Sequence, residues 1–309
     1  MEQPNITVVG SFAVGMTMRT SRMPVFGETL IGRDFDMGPG GKGSNQAVGI
    51  ARLGVKSCFA GIIGDDKLGE IAEDLYEREN VDFTLLKKTD SAATGVGFII
   101  LDEAGDNGII LDMGANKLMD EAFVEGVEGQ IASSSVVMSV LELPVAAAVQ
   151  AMKVGKRHGV QTILNPAPAT KMEDDVWQFI DYLTPNETEL RILMGLEPEN
   201  TTPTPVLAKK LQERGVKNLI ITQGASGALI VGEGFEEHIP SVPVDVVDTT
   251  GAGDAFNAGL AVALVQGFSL PDAVRFAVCT GALTCTRLGV IPGLPYEKDV
   301  MDLYQKHFK

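Results

Sequence analysis

The most informative segment of the chain is Asp248-Thr249-Thr250-Gly251-Ala252-Gly253-Asp254-Ala255-Phe256. A β-branched segment, Val242 to Val247, leads into it, and an apolar helical pattern runs from Ala255 through Val265. Small residues at the start of a helix leave the backbone accessible, and the first N–H groups of a helix have no intrahelical partner. Gly251, Ala252 and Gly253 are therefore predicted to form an anion-binding turn at the positive end of the helix dipole. Asp254, in the first helical turn, is either an acid that stabilises the helix end or a functional carboxylate beside that turn.

Apolar strands alternate with amphipathic helices along most of the chain. The pattern predicts helices that include Asp120 to Ile131 and Val145 to His158, and strands at Ile6–Gly10, Cys58–Ile62, Val136–Val140, Thr162–Leu164, Tyr182–Thr184 and Asn218–Thr222. Such alternation is typical of an α/β fold, with a doubly wound, mostly parallel sheet and helices on both faces. We expect one domain over residues 1–309.

Two early β-rich segments interrupt this rhythm, at about residues 15–37 and 94–112. The first, Met16 to Met37, predicts two antiparallel strands, and the second, Thr94 to Leu111, contains a turn at Glu103 to Asn107. Together they predict a small sheet that projects from the α/β body.

The composition limits the possible partners and compartment. A net charge of −16 on 309 residues argues against a nucleic-acid or membrane partner, because both need a basic face. Cys58, Cys279 and Cys285 lack the spacing of metal ligands, and their apolar neighbours suggest free thiols in a reducing compartment. The first residues show no signal peptide, so a cytoplasmic location is expected.

A second glycine-rich turn, Gly38 to Asn45, opens another helix. It does not match a P-loop, because Gly43 separates the Gly-Lys pair from Ser44. It is either a wall that closely contacts a polar ligand, with Lys42 and Asn45 as donors, or simply a tight strand–helix turn. Polar residues also follow the predicted strands, at Glu142, Asn165, Asn186–Glu189, Thr222–Gly227 and Asp254. In a parallel sheet these strand ends meet, so one shared ligand site is predicted there.

Two segments of the chain resemble the two signatures of the ribokinase-like carbohydrate kinases. They are Gly40-Gly41-Lys42-Gly43-Ser44-Asn45-Gln46-Ala47 and Asp248–Phe256. Asn165–Pro168, Pro185–Glu189 and Thr222–Gly227 match further segments of that family in the expected order. The resemblance spans about residues 6–295. It implies ATP-dependent phosphorylation of a hydroxymethyl group of a small sugar, by in-line transfer. The alternatives are a nucleoside kinase of the same family and a non-catalytic sugar sensor on this fold.

The resemblance also implies roles for individual residues. Asp254 would be the base, Gly251, Ala252 and Gly253 the anion hole, and Glu189 a ligand of Mg²⁺ through water. The sugar would contact Asp254 together with Gly40, Gly41, Lys42, Asn45 and Glu142. ATP would contact Asn186, Thr222, Gly224, Ser226 and Gly227. K⁺ would activate the enzyme from a site at Asp248, Thr250, Thr284, Arg287, Gly289 and Gly293. The small sheet would act as a lid over the sugar and form a homodimer contact.

One departure from the family pattern concerns the sugar. Ribokinases carry Asn-x-Asp after the first strand, whereas this chain has Ala13-Val14-Gly15. The lost carboxylate would remove charge-assisted hydrogen bonds on the order of 1.5–3 kcal/mol each, which makes ribose a poor substrate. Asp112, near the end of the second β segment, is either a substitute carboxylate or a solvated residue.

Overall fold

The structure is a computed structural model that describes residues 5–103 and 107–309. The strands are β1 (Asn5–Val9), β2 (Ala13–Arg19), β3 (Arg33–Gly40), β4 (Lys56–Gly64), β5 (Asp82–Thr89), β6 (Gly95–Leu101), β7 (Asn107–Asp112), β8 (Val136–Val140), β9 (Gln161–Asn165), β10 (Tyr182–Leu183), β11 (Asn218–Thr222), β12 (Ala228–Gly232) and β13 (Phe235–Ile239). The α-helices are α1 (Lys42–Arg52), α2 (Lys67–Arg78), α3 (Glu121–Gly126), α4 (Glu128–Ala132), α5 (Val145–Arg157), α6 (Glu187–Leu193), α7 (Thr204–Glu213), α8 (Ala252–Val265), α9 (Leu270–Thr284), α10 (Val290–Gly293) and α11 (Glu297–Phe308).

The large sheet confirms the predicted α/β architecture. Over the described residues it has nine strands in the order β13-β12-β11-β10-β9-β8-β1-β4-β5. All described neighbours from β11 to β5 pair in parallel, whereas β12 runs antiparallel to both of its neighbours, β11 and β13. The carboxyl ends of the parallel strands therefore share one edge, which is where ligands collect in such sheets.

Helices cover both faces of this sheet, because the central strands are apolar on both sides. Along β8, Val136 and Met138 pack into one core with α1, α2, α8, α9 and α11, whereas Val137 packs into the other core. That second core contains α3 to α7 and the fully buried Trp177. Successive residues of a strand point to opposite faces, which accounts for the two cores.

The small separate sheet predicted from the two β segments is also confirmed, with the described order β3-β2-β6-β7. β2 pairs with β3 antiparallel and with β6 in parallel. The turn predicted at Glu103 to Asn107 falls partly outside the described residues.

The two faces of the small sheet differ. Gly15, Gly38 and Gly97 lie side by side on one face, whereas Met16, Met37, Phe98 and Ile110 form a row across the other. Apart from Met16, the members of this apolar row are exposed, Ile110 to 70%.

Some local predictions were wrong. The helix expected over Asp120 to Ile131 is divided into α3 and α4, since the glycines 126 and 129 on either side of the break are poor helix formers. The β-branched segment Val242 to Val247, for which no strand was predicted, lies outside the sheets, and Val247 donates its N–H to the carbonyl of Cys285 (2.8 Å). β5 and the β12–β13 hairpin were not predicted. Within residues 5–103 and 107–309, none of the helices combines the length and the apolar character needed to span a bilayer.

Candidate active site

The Gly38–Asn45 turn is held against the end of β1. Gly41, the N-cap of α1, has φ 90°, and a Cβ there would lie 2.8 Å from the backbone nitrogen of Ala13. Only glycine fits such a position. The cap interaction for α1 comes instead from Glu142, whose Oε2 accepts from the Lys42 N–H (2.8 Å) and from the Ser11 hydroxyl (2.7 Å). Glu142 therefore lies beside the backbone of Lys42, and one of its oxygens fixes the start of a helix.

The turn before α8 has the open backbone that its sequence predicts. Gly251 is the N-cap with φ 81°, and a Cβ on it would lie 2.5 Å from Cγ1 of Val290. Gly253 is exposed, and a Cβ built on it would meet no described atom within 4 Å. The N–H groups of the first turn lack intrahelical acceptors, so an anion can approach here. The N–H of Ala252 is already directed to the carbonyl of Thr249 (3.2 Å).

The side chain of Asp254 is bonded to the first glycine-rich turn. Its Oδ2 accepts from Nδ2 of Asn45 at 2.7 Å, and each of the two residues is 5% exposed. These residues are 209 positions apart in the chain. Oδ1 of Asn45 is buried and has no hydrogen-bond partner among the residues that the structure describes. The pair therefore offers a carboxylate and an unused amide oxygen, a combination that fits a ligand hydroxyl.

Burial raises the pKa of Asp254, although Lys42 and the hydrogen bond from Asn45 act in the opposite direction. The pKa of Lys42 is also raised, mainly by the charge of Asp254 and further by Glu142 and Glu189, against the effect of burial. Lys42 thus carries its positive charge among the three carboxylates of the site.

The residues predicted to contact ATP come from two adjoining strand ends. Asn186 forms a parallel bridge with Thr222, whose N–H donates to the carbonyl of Pro185 (3.0 Å). A short 3₁₀ turn at Gly224–Ser226 follows. The turn is closed by a hydrogen bond from the N–H of Gln223 to the carbonyl of Gly227 (2.8 Å). The described strand ends therefore place these residues next to each other.

Glu189 forms a capping box with Asn186. Its Oε2 accepts from the Asn186 N–H, and its own N–H donates to Oδ1 of Asn186, both at 2.8 Å. Burial raises the pKa of Glu189, while the Asn186 N–H and the charge of Lys42 favour its ionised form. Glu189 is therefore both a helix-stabilising acid and a carboxylate close enough to interact with Lys42 and Asp254.

The segments predicted to bind a monovalent cation also come together. Oδ1 of Asp248 accepts from the N–H and hydroxyl of Thr250 (2.9 and 2.6 Å), and its Oδ2 accepts from the Gly289 N–H (2.9 Å). Burial opposes ionisation of Asp248, but these bonds outweigh it and its pKa lies below the ordinary value.

A Cβ on Gly293 would lie 2.9 Å from the carbonyl oxygen of Thr284 and 3.8 Å from that of Arg287. Backbone carbonyls, which suit a hard monovalent cation, therefore converge on this glycine.

Asp112 does not replace the missing acid of the Asn-x-Asp pattern. It pairs through Val96 with Val14, whereas Gly15 is on the opposite face of the sheet. Its Oδ1 contacts Nζ of Lys117 (2.7 Å), and this lysine holds the pKa of the exposed carboxyl below its usual range. Asp112 is therefore a solvated residue and not a substitute carboxylate for the sugar.

Sequence reasoning missed several polar residues beneath the site. Ser11 accepts from Gly43 and donates to Glu142, while Thr184 and Asn257 are hydrogen-bonded to each other below Asp254. Asn257 could have been found, because it is the single polar side chain within the apolar pattern from Ala255 to Val265.

Known proteins share this architecture over their whole length. A ribokinase of Arabidopsis thaliana, solved in complex with ribose and ATP, superposes with a TM-score of 0.92 at 31% identity and covers 99% of both chains. The ribokinase of Haemophilus influenzae is 34% identical over 97% of this chain and 98% of its own length. A deoxyribokinase of Salmonella typhi is 33% identical over 94% of this chain and 95% of its own length.

The fold, the open helix turn and these similarities define an ATP-dependent carbohydrate kinase. The chain belongs to the pfkB family of carbohydrate kinases, whose sequence pattern matches residues 3–297.

Proposed function

We propose that this kinase transfers the γ-phosphoryl group of ATP to the hydroxymethyl oxygen of a small sugar, with Asp254 as the base. The sugar oxygen forms its bond to the γ-phosphorus while the bond from that phosphorus to the β–γ bridging oxygen breaks, and ADP leaves. The hydroxyl proton passes to the carboxylate of Asp254. In a loose transition state the proton moves late, so positioning and charge neutralisation provide most of the rate.

The hydrogen bond from Asn45 to Asp254, beside the bare turn at Gly253, is the observation that carries this proposal. It places a buried carboxylate of raised pKa next to backbone N–H groups that suit a transferring phosphoryl group. A higher pKa brings a carboxylate closer to the basicity that proton abstraction requires at neutral pH. The buried Oδ1 of Asn45, which is free of protein partners within the described residues, provides an acceptor for a second sugar hydroxyl.

The nucleotide would lie between Asn186 and the turn at Thr222–Gly227. Glu189 is a suitable acid for an ion that retains its water. One of its oxygens is used in the capping box, and the other accepts no hydrogen bond from the described residues. When bound, Mg²⁺ would neutralise charge on the β- and γ-phosphates. Lys42, among the carboxylates Asp254, Glu142 and Glu189, adds a fixed positive charge from the protein.

The cation site would lie around Gly293. The carbonyls of Thr284 and Arg287 converge there, and Asp248 ties the same loop to Gly289 beside the anion turn. K⁺ bound to such carbonyls would rigidify Gly251, where a Cβ would lie 2.5 Å from Cγ1 of Val290. We therefore propose K⁺ as an activator that acts on the geometry of the anion turn.

The sugar-facing part of the small sheet favours a substrate other than ribose. Gly15, Gly38 and Gly97 adjoin one another, and a Cβ on any of them would find only ordinary contacts or open space. None of the three has a positive φ, so neither strain nor crowding requires glycine there. At these three positions the face offers no side chain to bond sugar hydroxyls and leaves room above the backbone. A deoxy-sugar, or a nucleoside with a bulkier substituent, satisfies this surface better.

The opposite face of the small sheet would mediate a homodimer. The row of Met37, Phe98 and Ile110 is exposed, and contiguous exposed apolar side chains of this kind are typical of interfaces. The sheet would thus close over the sugar with its bare face and contact a second copy with its apolar face. Light scattering of the wild-type protein and of Phe98→Asp tests this: dimer and monomer are expected, and a monomeric wild type would contradict the proposal.

The function is tested by measuring ADP release over a panel of pentoses, deoxypentoses, hexoses and nucleosides. Phosphorus–proton coupling in the NMR spectrum of the product identifies the phosphorylated carbon. We expect phosphate on a CH₂ group and a kcat/KM for ribose well below that for another substrate. Ribose as the best substrate would refute the specificity, and the absence of turnover with every substrate would refute the proposed function.

A further inference from the structure

Buried polar side chains form a continuous chain beneath Asp254. They are Gln46 in α1, Asn165 at the end of β9, Thr184 after β10 and Asn257 in α8, and they are 0%, 6%, 2% and 1% exposed. A buried polar group is costly unless it is hydrogen-bonded, and an apolar side chain would fill the same volume without that cost. Their presence between two apolar cores therefore calls for a function beyond packing.

The hydrogen bonds along this chain run in one direction. Nε2 of Gln46 donates to Oδ1 of Asn165 (3.1 Å), and Nδ2 of Asn165 donates to the carbonyl of Thr184 (3.1 Å). The hydroxyl of Thr184 then donates to Oδ1 of Asn257 (2.6 Å), and Nδ2 of Asn257 donates to the carbonyl of Gly253 (2.8 Å). Since a carbonyl can only accept, the amide of Asn257 is held in a single orientation.

Both ends of the chain meet at Asp254. At one end, Asn257 holds the carbonyl of Gly253, which belongs to the peptide unit that supplies the N–H of Asp254. At the other end, Gln46 is the direct neighbour of Asn45, whose amide binds the carboxylate of Asp254. The closed loop of contacts fixes the backbone and the side chain of Asp254 from opposite sides.

Thr184 also connects this loop to the nucleotide side. It lies two residues before Asn186, the N-cap of α6, in a segment whose Pro185 carbonyl is bonded to Thr222. A shift of the Thr184 backbone would thus be felt at the anion turn and at the proposed phosphate contacts together. The loss of geometry by about 1 Å can cost on the order of 100-fold in rate.

We propose that Thr184 and Asn257 are positioning residues for phosphoryl transfer: their hydrogen bond sets the Gly253–Asp254 peptide relative to the nucleotide loop. This rests on the proposed role of Asp254 and adds residues that touch neither substrate. A merely structural pair would affect stability alone, whereas positioning residues affect kcat more than KM.

The decisive variant is Thr184→Val, which keeps the shape of the side chain and removes its donor. We expect kcat to fall by about 10- to 100-fold, with KM for ATP and for the best sugar changed by less than about threefold. Thr184→Ser, which restores the hydroxyl, is expected to recover most of kcat. Unchanged kcat in Thr184→Val, or equal losses in the Val and Ser variants, would overturn the proposal.

Thr7→Val is the matched control. Thr7 is equally buried in the large sheet and shares one hydroxyl–hydroxyl bond of 2.7 Å with Ser134, which precedes β8 at the amino-terminal edge, away from the site. Its kcat should equal that of the wild type even where its melting temperature falls. A similar loss of kcat in this control would show that any buried threonine matters, and would overturn the proposal.

A double-mutant cycle with Asn257→Ala provides a second readout. Because both residues act through one contact, Thr184→Val/Asn257→Ala should lose no more kcat than the worse single variant, whereas multiplied losses would argue against a shared contact. Should Thr184→Val be insoluble, Asn257→Ala alone is compared with the wild type. In that variant the Thr184 hydroxyl keeps an acceptor, because it can donate to the carbonyl of Leu164 (3.4 Å). Wild-type protein that phosphorylates no sugar would refute the proposed function itself, whereas an active wild type with unaffected variants refutes only this inference.

Discussion

Asp254→Asn is the most direct perturbation of the proposed chemistry. Asparagine has the same shape, and one of its side-chain atoms can still pair with Asn45, 2.7 Å from the present Oδ2. What it loses is basicity and the negative charge that chiefly raises the pKa of Lys42. The site would therefore keep its packing while the hydroxyl proton lost its acceptor.

The expected magnitude follows from general-base catalysis, which typically contributes about 10²- to 10⁴-fold. At about 1.4 kcal/mol per tenfold change, the loss in Asp254→Asn corresponds to about 3–5 kcal/mol of transition-state stabilisation. KM for ATP should change little, because Asp254 is 5% exposed and the proposed nucleotide contacts come from the ends of β10 and β11. The assay is steady-state ADP release with the best sugar and with ATP varied in turn.

Asp181→Asn is the control for loss of a buried carboxylate. Asp181 is 7% exposed and pairs with Nζ of Lys156 at 2.8 Å, but it precedes β10, at the amino-terminal edge of the sheet. Its variant should lose stability and keep kcat. A turnover of Asp254→Asn within about threefold of the wild type would refute the role of Asp254 as the base.

Three further predictions follow from the same geometry. Activity should rise with K⁺ at fixed Mg²⁺ and ATP. Gly293→Ala should abolish that rise, because the Cβ of the alanine would lie 2.9 Å from the Thr284 carbonyl oxygen. Equal activation by a bulky organic cation would contradict the proposed K⁺ site. In the pH profile of kcat/KM, the apparent pKa of the acid limb should lie above the ordinary aspartate pKa of about 3.9, since burial raises the pKa of Asp254. It should move to still higher pH in Lys42→Met, which removes the cation that favours the carboxylate, but not in Lys42→Arg; an unmoved limb in the Met variant would exclude this coupling. Gly15→Asp should raise kcat/KM for ribose by roughly 10- to 100-fold through new charge-assisted hydrogen bonds. The control variant Gly126→Asp, which adds the same charge, should leave kcat/KM for ribose unchanged. Equal responses of the two variants would show that the missing acid does not set the sugar specificity.

Much of the fold was determined locally and could be predicted from the sequence. The alternation of apolar strands and helices identified the parallel sheet, because the side-chain periods of 2 and 3.6 are visible in any single segment. The two β segments that form the small sheet were recognised for the same reason. The glycines before α1 and α8 marked two turns that only glycine can form, and both helices begin there.

Tertiary structure alone decided which residues meet. The contacts of Asp254 with Asn45, of Glu142 with the Lys42 N–H, and of Thr184 with Asn257 join positions 209, 100 and 73 residues apart. Local propensity carries no information on such pairs, because they depend on the order and register of the strands that bring them to one edge. The raised pKa of Asp254 is a result of the same packing, since the sequence shows a carboxylate at a helix end but not the layers that exclude water from it. Likewise, the register of β2, β6 and β7 placed Asp112 on the face away from Gly15, a question that the sequence had left with two answers.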